Sequence, residues 1–236
     1  MAEQTFTMHP VAHIESDFAE KFGIPRQSGL VDALRARVVF EPPYRDPSAL
    51  RGIEQFSHIW LLWQFTQAMR AGWSPTVRPP RLGGNTRVGV FATRSPFRPN
   101  PIGLSCVRLE KVEQDPARGP VLLVRGADLL DGTPIYDIKP YIPFADCRPD
   151  ASEGYTAQTR GYRLEVRCPE GLRADLPAGK WEALAGVLSG DPRPSYQEDP
   201  ERVYGMKFAG YEVGFTVADS VLTVCRIRPV RPGQEG

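Results

Sequence analysis

Two guanidinium groups and a side-chain amide, those of Arg94, Arg98 and Asn100, fall within the eight residues RSPFRPNP (94–101), which also hold three prolines. Proline fixes φ and disfavours helix in the residue before it, so this stretch is a stiff loop that loses little entropy on binding. The planar fork of arginine suits a carboxylate, a phosphate or the face of a ring. A loop with only a structural task has no need of such a set. A second segment with polar chemistry is DLLDGTPIYDIKPY (128–141). Its Asp131-Gly132-Thr133-Pro134 turn offers backbone N–H groups beside a carboxylate. Tyr136, Asp137 and Lys139 follow on an alternating strand, which puts Asp137 and Lys139 on one face. A structural hairpin with an ion pair accounts for that segment equally well. Pro25-Arg26-Gln27 and Ser57-His58-Ile59-Trp60 are weaker signals. The first also fits an exposed loop with a solvated arginine, the second a hydrogen-bonded histidine on an apolar strand.

Several common chemistries are excluded. No G-x-G-x-x-G follows a strand and no Walker loop is present. Gly103-Leu-Ser-Cys-Val lacks the second glycine of a nucleophile elbow. The four cysteines, Cys106, Cys147, Cys168 and Cys225, stand far apart with no C-x-x-C pair, so no metal site is expected. So few cysteines make reduced thiols in the cytoplasm the default. The first residues, MAEQTFTMHP, do not read as a signal peptide. The longest apolar run, 59–63, is too short to cross a bilayer, so no membrane partner is expected. Lys+Arg 29 against Asp+Glu 28 leaves a net charge of +1, without the excess typical of a basic nucleic-acid binder. The charge is uneven, however. Arg78, Arg81, Arg87, Arg94 and Arg98 follow one another with no acidic residue between them, enough for one strongly positive face.

These groups need a scaffold, and 236 residues are enough to bury a core without staples. With 24 prolines and 22 glycines, many short strands are favoured over long helices. Strands are expected over 5–15, 33–40, 56–66, 88–92, 104–112, 121–127 and 135–143, with a turn at 114–119. The composition then turns polar over 148–160, which reads as a linker. Beyond it come a strand at 162–167, a helix at 179–189, a hairpin over 203–217 around Ala-Gly, and a last strand at 221–227. The chain is therefore expected to be mainly β, divided into a domain over 1–147 and a small α+β domain over 148–236. The alternation of strand and long helix that a Rossmann domain needs is missing.

Five blocks together carry a resemblance: KFGIPRQ (21–27), FSHIW (56–60), VRPPRLGGN (77–85), GVFATRSPFRPNPIGLS (89–105) and DLLDGTPIYDIKPY (128–141). They resemble the TsaA/TrmO family densely over about residues 7–146, and SGDPRPSYQ (189–197) resembles the C-terminal domain of its bacterial members. Gln64-Phe65-Thr66 departs from the pattern, since members often carry a histidine after the phenylalanine. The resemblance implies a β-barrel in place of a Rossmann-type methyltransferase domain, and a homodimer. It implies S-adenosyl-L-methionine as cofactor, and as partner a tRNA whose anticodon loop carries threonylcarbamoyladenosine (t6A) at position 37. The reaction implied is methylation of its N6. Cofactor contacts would fall on Pro25, Arg26, Gln27, His58, Ile59, Arg94, Leu104, Asp131, Gly132, Thr133 and Pro134. For that reaction Arg94, Arg98 and Asn100 would steady charge on the urea oxygen or hold the threonyl carboxylate, and Tyr136 or Asp137 would take the proton. Two other readings stay open: an RNA-binding barrel without catalysis, and an S-adenosylmethionine enzyme with another substrate.

Overall fold

The computed structural model describes residues 5–67, 73–79, 86–193 and 199–230. Six strands, β1 (Ala12–Glu15), β2 (Arg35–Phe40), β3 (His58–Gln64), β6 (Ile102–Asp115), β7 (Gly119–Arg125) and β8 (Pro134–Pro140), close on themselves in the order β1-β2-β7-β6-β3-β8. All their pairings are antiparallel. Closure leaves the ring no free edge. Alternation fills its interior. On β3, Ile59, Leu61 and Trp63 are buried while His58, Trp60 and Leu62 are not. On β6, Gly103, Ser105, Val107 and Leu109 face inward. Two short strands, β4 (Thr76–Val77) and β5 (Val88–Gly89), form a separate hairpin beside the ring.

The C-terminal part is a second sheet, ordered β10-β11-β12-β9, from β9 (Glu165–Arg167), β10 (Tyr204–Phe208), β11 (Tyr211–Ala218) and β12 (Val221–Pro229). Only β9 runs parallel to its neighbour. The helix Lys180–Ser189 lays Ala183, Leu184, Val187 and Leu188 on this core.

The expected elements are recovered with shifts at their ends. β1 begins only at Ala12, since residues 5–10 are exposed. β6 runs through the start of the expected turn to Asp115, whose Oδ1 then accepts from the N–H groups of Ala117 and Arg118 at 3.0 and 3.1 Å and turns the chain at once. After Val88–Gly89 the expected strand tightens into a 3-10 turn, Val90–Ala92, anchored by buried Val90. Arg81 with the rest of 80–85 in the VRPPRLGGN block, and the last four residues of SGDPRPSYQ, lie outside the described residues.

Packing crosses the expected boundary at 147/148. The connection between β1 and β2, residues 16–34, inserts Phe18, Val31 and Leu34 into the C-terminal core. Phe18 meets Phe208 edge to face at 5.6 Å. The Lys180 ammonium donates to both Asp17 oxygens at 2.7 Å, and Glu20 accepts the Lys207 N–H at 2.9 Å. Gly23 has φ +94°, a backbone conformation that L side chains rarely adopt, and its Cα face packs against the Met206 side chain. The other face of the connection is stitched to the ring, where Ser28 Oγ accepts the Cys106 N–H at 3.0 Å and the Gly29 N–H donates to the Gly126 carbonyl at 2.8 Å. The segment that carries Pro25-Arg26-Gln27 is thus clamped between two cores.

No helix among the described residues is long and apolar enough to cross a membrane.

Candidate functional site

One end of β3, the start of β6, the proline-framed loop and the clamped connection meet in a cleft of about 590 Å³. That volume lies within the range of small-molecule sites. Pro25, Arg26 and Gln27 form one wall; Arg94, Arg98 and Asn100 form another. Leu104 and Ile102, exposed on the outer face of β6, give an apolar side, with Phe65 and Phe97 nearby. The two polar walls touch, since an Arg94 Nη donates to Gln27 Oε1. Thr133 reaches the cleft from the Asp-Gly turn and is otherwise buried, its hydroxyl donating to the Leu130 carbonyl at 2.6 Å.

Not every expected residue arrives. His58 and Ile59 lie at the opposite end of β3, about 20 Å from Gln64 along a strand that rises roughly 3.3 Å per residue. Ile59 is buried inside the ring, and His58 bonds Ser57 Oγ at 2.9 Å and packs edge to face on Tyr141. The part of β3 at the cleft is Trp63 and Gln64, continued by 65–67. Asp131, Gly132 and Pro134 are off the cleft wall: Asp131 Oδ1 accepts the Ser16 N–H at 2.9 Å, and the Gly132 N–H donates to the Ile14 carbonyl at 2.8 Å. Both pin the turn to β1 and its following loop. Asp137 is turned away and pairs with Lys139 at 2.8 Å, the same-face pair expected from alternation. Tyr136 is not on the wall either, yet its hydroxyl donates to Gln64, which is. Arg98 has a structural share in its own loop, where Nη1 donates to the carbonyls of Thr93 and Ser95 at 3.0 and 3.2 Å.

Sequence reasoning passed over the most telling group. Asp128 is the one carboxylate on the cleft wall among the described residues. Its Oδ1 accepts from Ser105 Oγ at 2.6 Å, and Ser105 Oγ accepts from Trp63 Nε1 at 2.9 Å. Burial pushes the Asp128 carboxyl above the usual carboxylate range, against the opposing pull of the Ser105 bond and the Arg94 charge. The available signal was a lone acid between two residues, Ala127 and Leu129, that both become core. Gly103 is the other omission. It stands directly opposite Trp63 in the β3–β6 register, and an added Cβ would lie 2.3 Å from the indole. Only glycine lets that ring lie flat against β6, within reach of Ser105.

The residues present fit S-adenosylmethionine. The cofactor is a zwitterion with an aromatic base, and the cleft offers guanidiniums for a carboxylate, apolar walls for a ring and one half-buried acid. No group of three or more metal-binding side chains occurs among the described residues.

A closed ring of antiparallel strands with an arginine-walled cleft at its rim is a barrel-type architecture, distinct from the Rossmann class. Residues 13–147 match the model of the tRNA-methyltransferase O N-terminal domain, and residues 162–230 that of the TrmO C-terminal domain. The chain belongs to the TrmO family. It is 42% identical over 234 residues to the tRNA (adenine(37)-N6)-methyltransferase of Escherichia coli K12, covering 95% of this chain and 99% of the relative. It is 44% identical over 218 residues to a Pseudomonas aeruginosa protein named a putative S-adenosylmethionine-dependent methyltransferase, covering 89% of this chain and 91% of that one. A crystal structure of TrmO from Pseudomonas aeruginosa superposes with a TM-score of 0.74 at 36% identity, covering 95% of this chain and 100% of the other.

Proposed function

We propose that the chain transfers a methyl group from S-adenosylmethionine to N6 of threonylcarbamoyladenosine 37 in tRNA, giving N6-methyl-threonylcarbamoyladenosine, as a cytoplasmic homodimer. Membership of a tRNA methyltransferase family supports the coarser part of this reading, an N6 methylation of adenine 37. The finer part rests on one observation: guanidiniums on a stiff loop and the half-buried Asp128, the one carboxylate there among the described residues, line the same cleft.

S-adenosylmethionine supplies an electrophilic methyl, and in-line displacement asks the protein mainly for placement. The clamped 25–27 segment and the Arg94 loop hold the reactants at fixed separation. The N6 nitrogen of the substrate carries a carbamoyl group and is a poor nucleophile until its proton leaves. Asp128 takes that proton. Its carboxyl is held in place by Ser105 and, through it, by Trp63, and its raised pKa brings it toward the range in which a general base works best. This reassigns the role expected of Tyr136 or Asp137. Arg98 and Asn100, at the outer lip, meet the urea oxygen or the threonyl carboxylate as charge builds.

An arginine–carboxylate contact is worth about 1.5–3 kcal/mol, or roughly 10- to 150-fold in discrimination. The test is labelled methyl transfer to matched tRNAs with and without the threonylcarbamoyl group, at one fixed salt concentration because the phosphate contribution is salt-dependent. Modified tRNA should be methylated at least about tenfold faster. Equal rates would show that the arginines serve the backbone alone and that the substrate is plain adenosine.

A further inference from the structure

Two large aromatic rings stand in solvent beside the cleft without a part in it. Phe91 is 73% exposed and Trp73 51% exposed. Their centroids are 6.2 Å apart with the planes 32° from parallel. The backbone next to both rings is hydrogen-bonded. The two belong to the ends of the β4–β5 hairpin, which pairs Thr76 with Gly89 and Val77 with Val88. Buried Val90 fixes the turn that presents Phe91, and its N–H donates to the Pro75 carbonyl at 3.0 Å. Ser74 Oγ closes the Trp73 side on the Thr76 carbonyl at 2.8 Å. Paired exposed aromatics on rigid backbone are costly in water unless something covers them.

Charge indicates what covers them. The Arg98 guanidinium carbon lies 6.0 Å from the Phe91 centroid, and Arg98 is also on the cleft wall, so the rings and the cleft form one continuous surface. Arg78 and Arg87 are exposed on the same hairpin, and among residues 73–79 and 86–98 there is no acidic side chain. Ring faces bordered by guanidiniums, with no carboxylate to repel phosphate, match an unpaired nucleotide.

We propose that Trp73 and Phe91 form a stacking platform for an unpaired base of the RNA, next to the base whose N6 enters the cleft. The inference rests on the RNA substrate argued above and adds a contact outside the cleft. Stacking is indifferent to which base is offered, so the platform fixes the path of the loop and does not read its sequence.

The experiment is binding of t6A-containing tRNA at fixed salt by wild type, Trp73→Ala, Phe91→Ala and Phe91→Trp, with S-adenosylmethionine binding and solution mass measured on each. Each alanine variant should weaken tRNA binding about tenfold or more, as expected for loss of one base stack. Phe91→Trp should restore it. The salt slope, cofactor binding and solution mass should not move, because no charge, cleft wall or subunit contact is lost. Unchanged tRNA affinity in both alanine variants overturns the platform. So does a fall in solution mass, which would mean that a second copy of the chain covers the rings. If wild type binds no tRNA at all, the RNA reading fails with it, and the two failures are told apart by the wild-type measurement alone.

Discussion

Asp128→Asn should lower methyl transfer by about 100-fold or more, the scale of a lost general base, while cofactor and tRNA binding are little changed. Asparagine keeps an oxygen to accept from Ser105 and loses only the capacity to take a proton. In wild type the rate should climb as pH rises through the raised Asp128 pKa, because only the ionised carboxylate can act as base. In the variant that limb should vanish. Stability should move the other way. Burial raises the folded pKa of Asp128 above its unfolded value. Its contribution is then complete below the ordinary carboxylate range and is lost as pH rises through the folded value. Asp128→Asn removes that loss, so the variant should gain on wild type in urea denaturation as the buffer goes from acid to neutral. Full activity in Asp128→Asn, or an unaltered pH profile, would return the proton to another group.

Gly103→Ala should unfold the site from behind. The new Cβ would sit 2.3 Å from Trp63 Cε2 and 2.4 Å from Cζ2, atoms of a rigid, buried ring. Overpacking of that kind costs about 2–3 kcal/mol, or a fall in melting temperature of about 4–12 °C for a chain of this length. Any relaxation that spares stability must swing the indole off Ser105 and so release Asp128. Methyl transfer should therefore suffer even at temperatures where the variant is folded. Gly205→Ala is the control: it is also a strand glycine, with nothing within 4 Å of its added Cβ, and should melt close to wild type.

Much of this architecture was written in local pattern. Alternation located most of the strands, and Asp191-Pro192 after an apolar helical run stopped the helix near its observed end at Ser189. The proline-framed arginines of 94–101 do line the cleft, because a chain that cannot enter a sheet must pass along its rim. What eluded the sequence is three-dimensional. His58 and Gln64 belong to one strand, and nothing in its alternation says which end meets the β1–β2 connection. The anchoring of that connection by Lys180 and Met206 joins residues more than 160 positions apart, beyond any periodicity. Asp128 reads as one more turn acid until the ring closes over Leu129 and Ala127 and strips water from between them.

The central claim is that the cofactor sits in the cleft at the Gln64 end of β3, between the Arg94 loop and the 25–27 segment. Calorimetric titration of S-adenosylmethionine, with no metal added, into wild type, Arg94→Ala and His58→Ala tests it most directly. Wild type and His58→Ala should bind alike, and Arg94→Ala should bind about 10- to 150-fold more weakly, the span of a lost charged hydrogen bond. Loss of binding in His58→Ala with Arg94→Ala unaffected would place the cofactor at the other end of the strand and contradict the account.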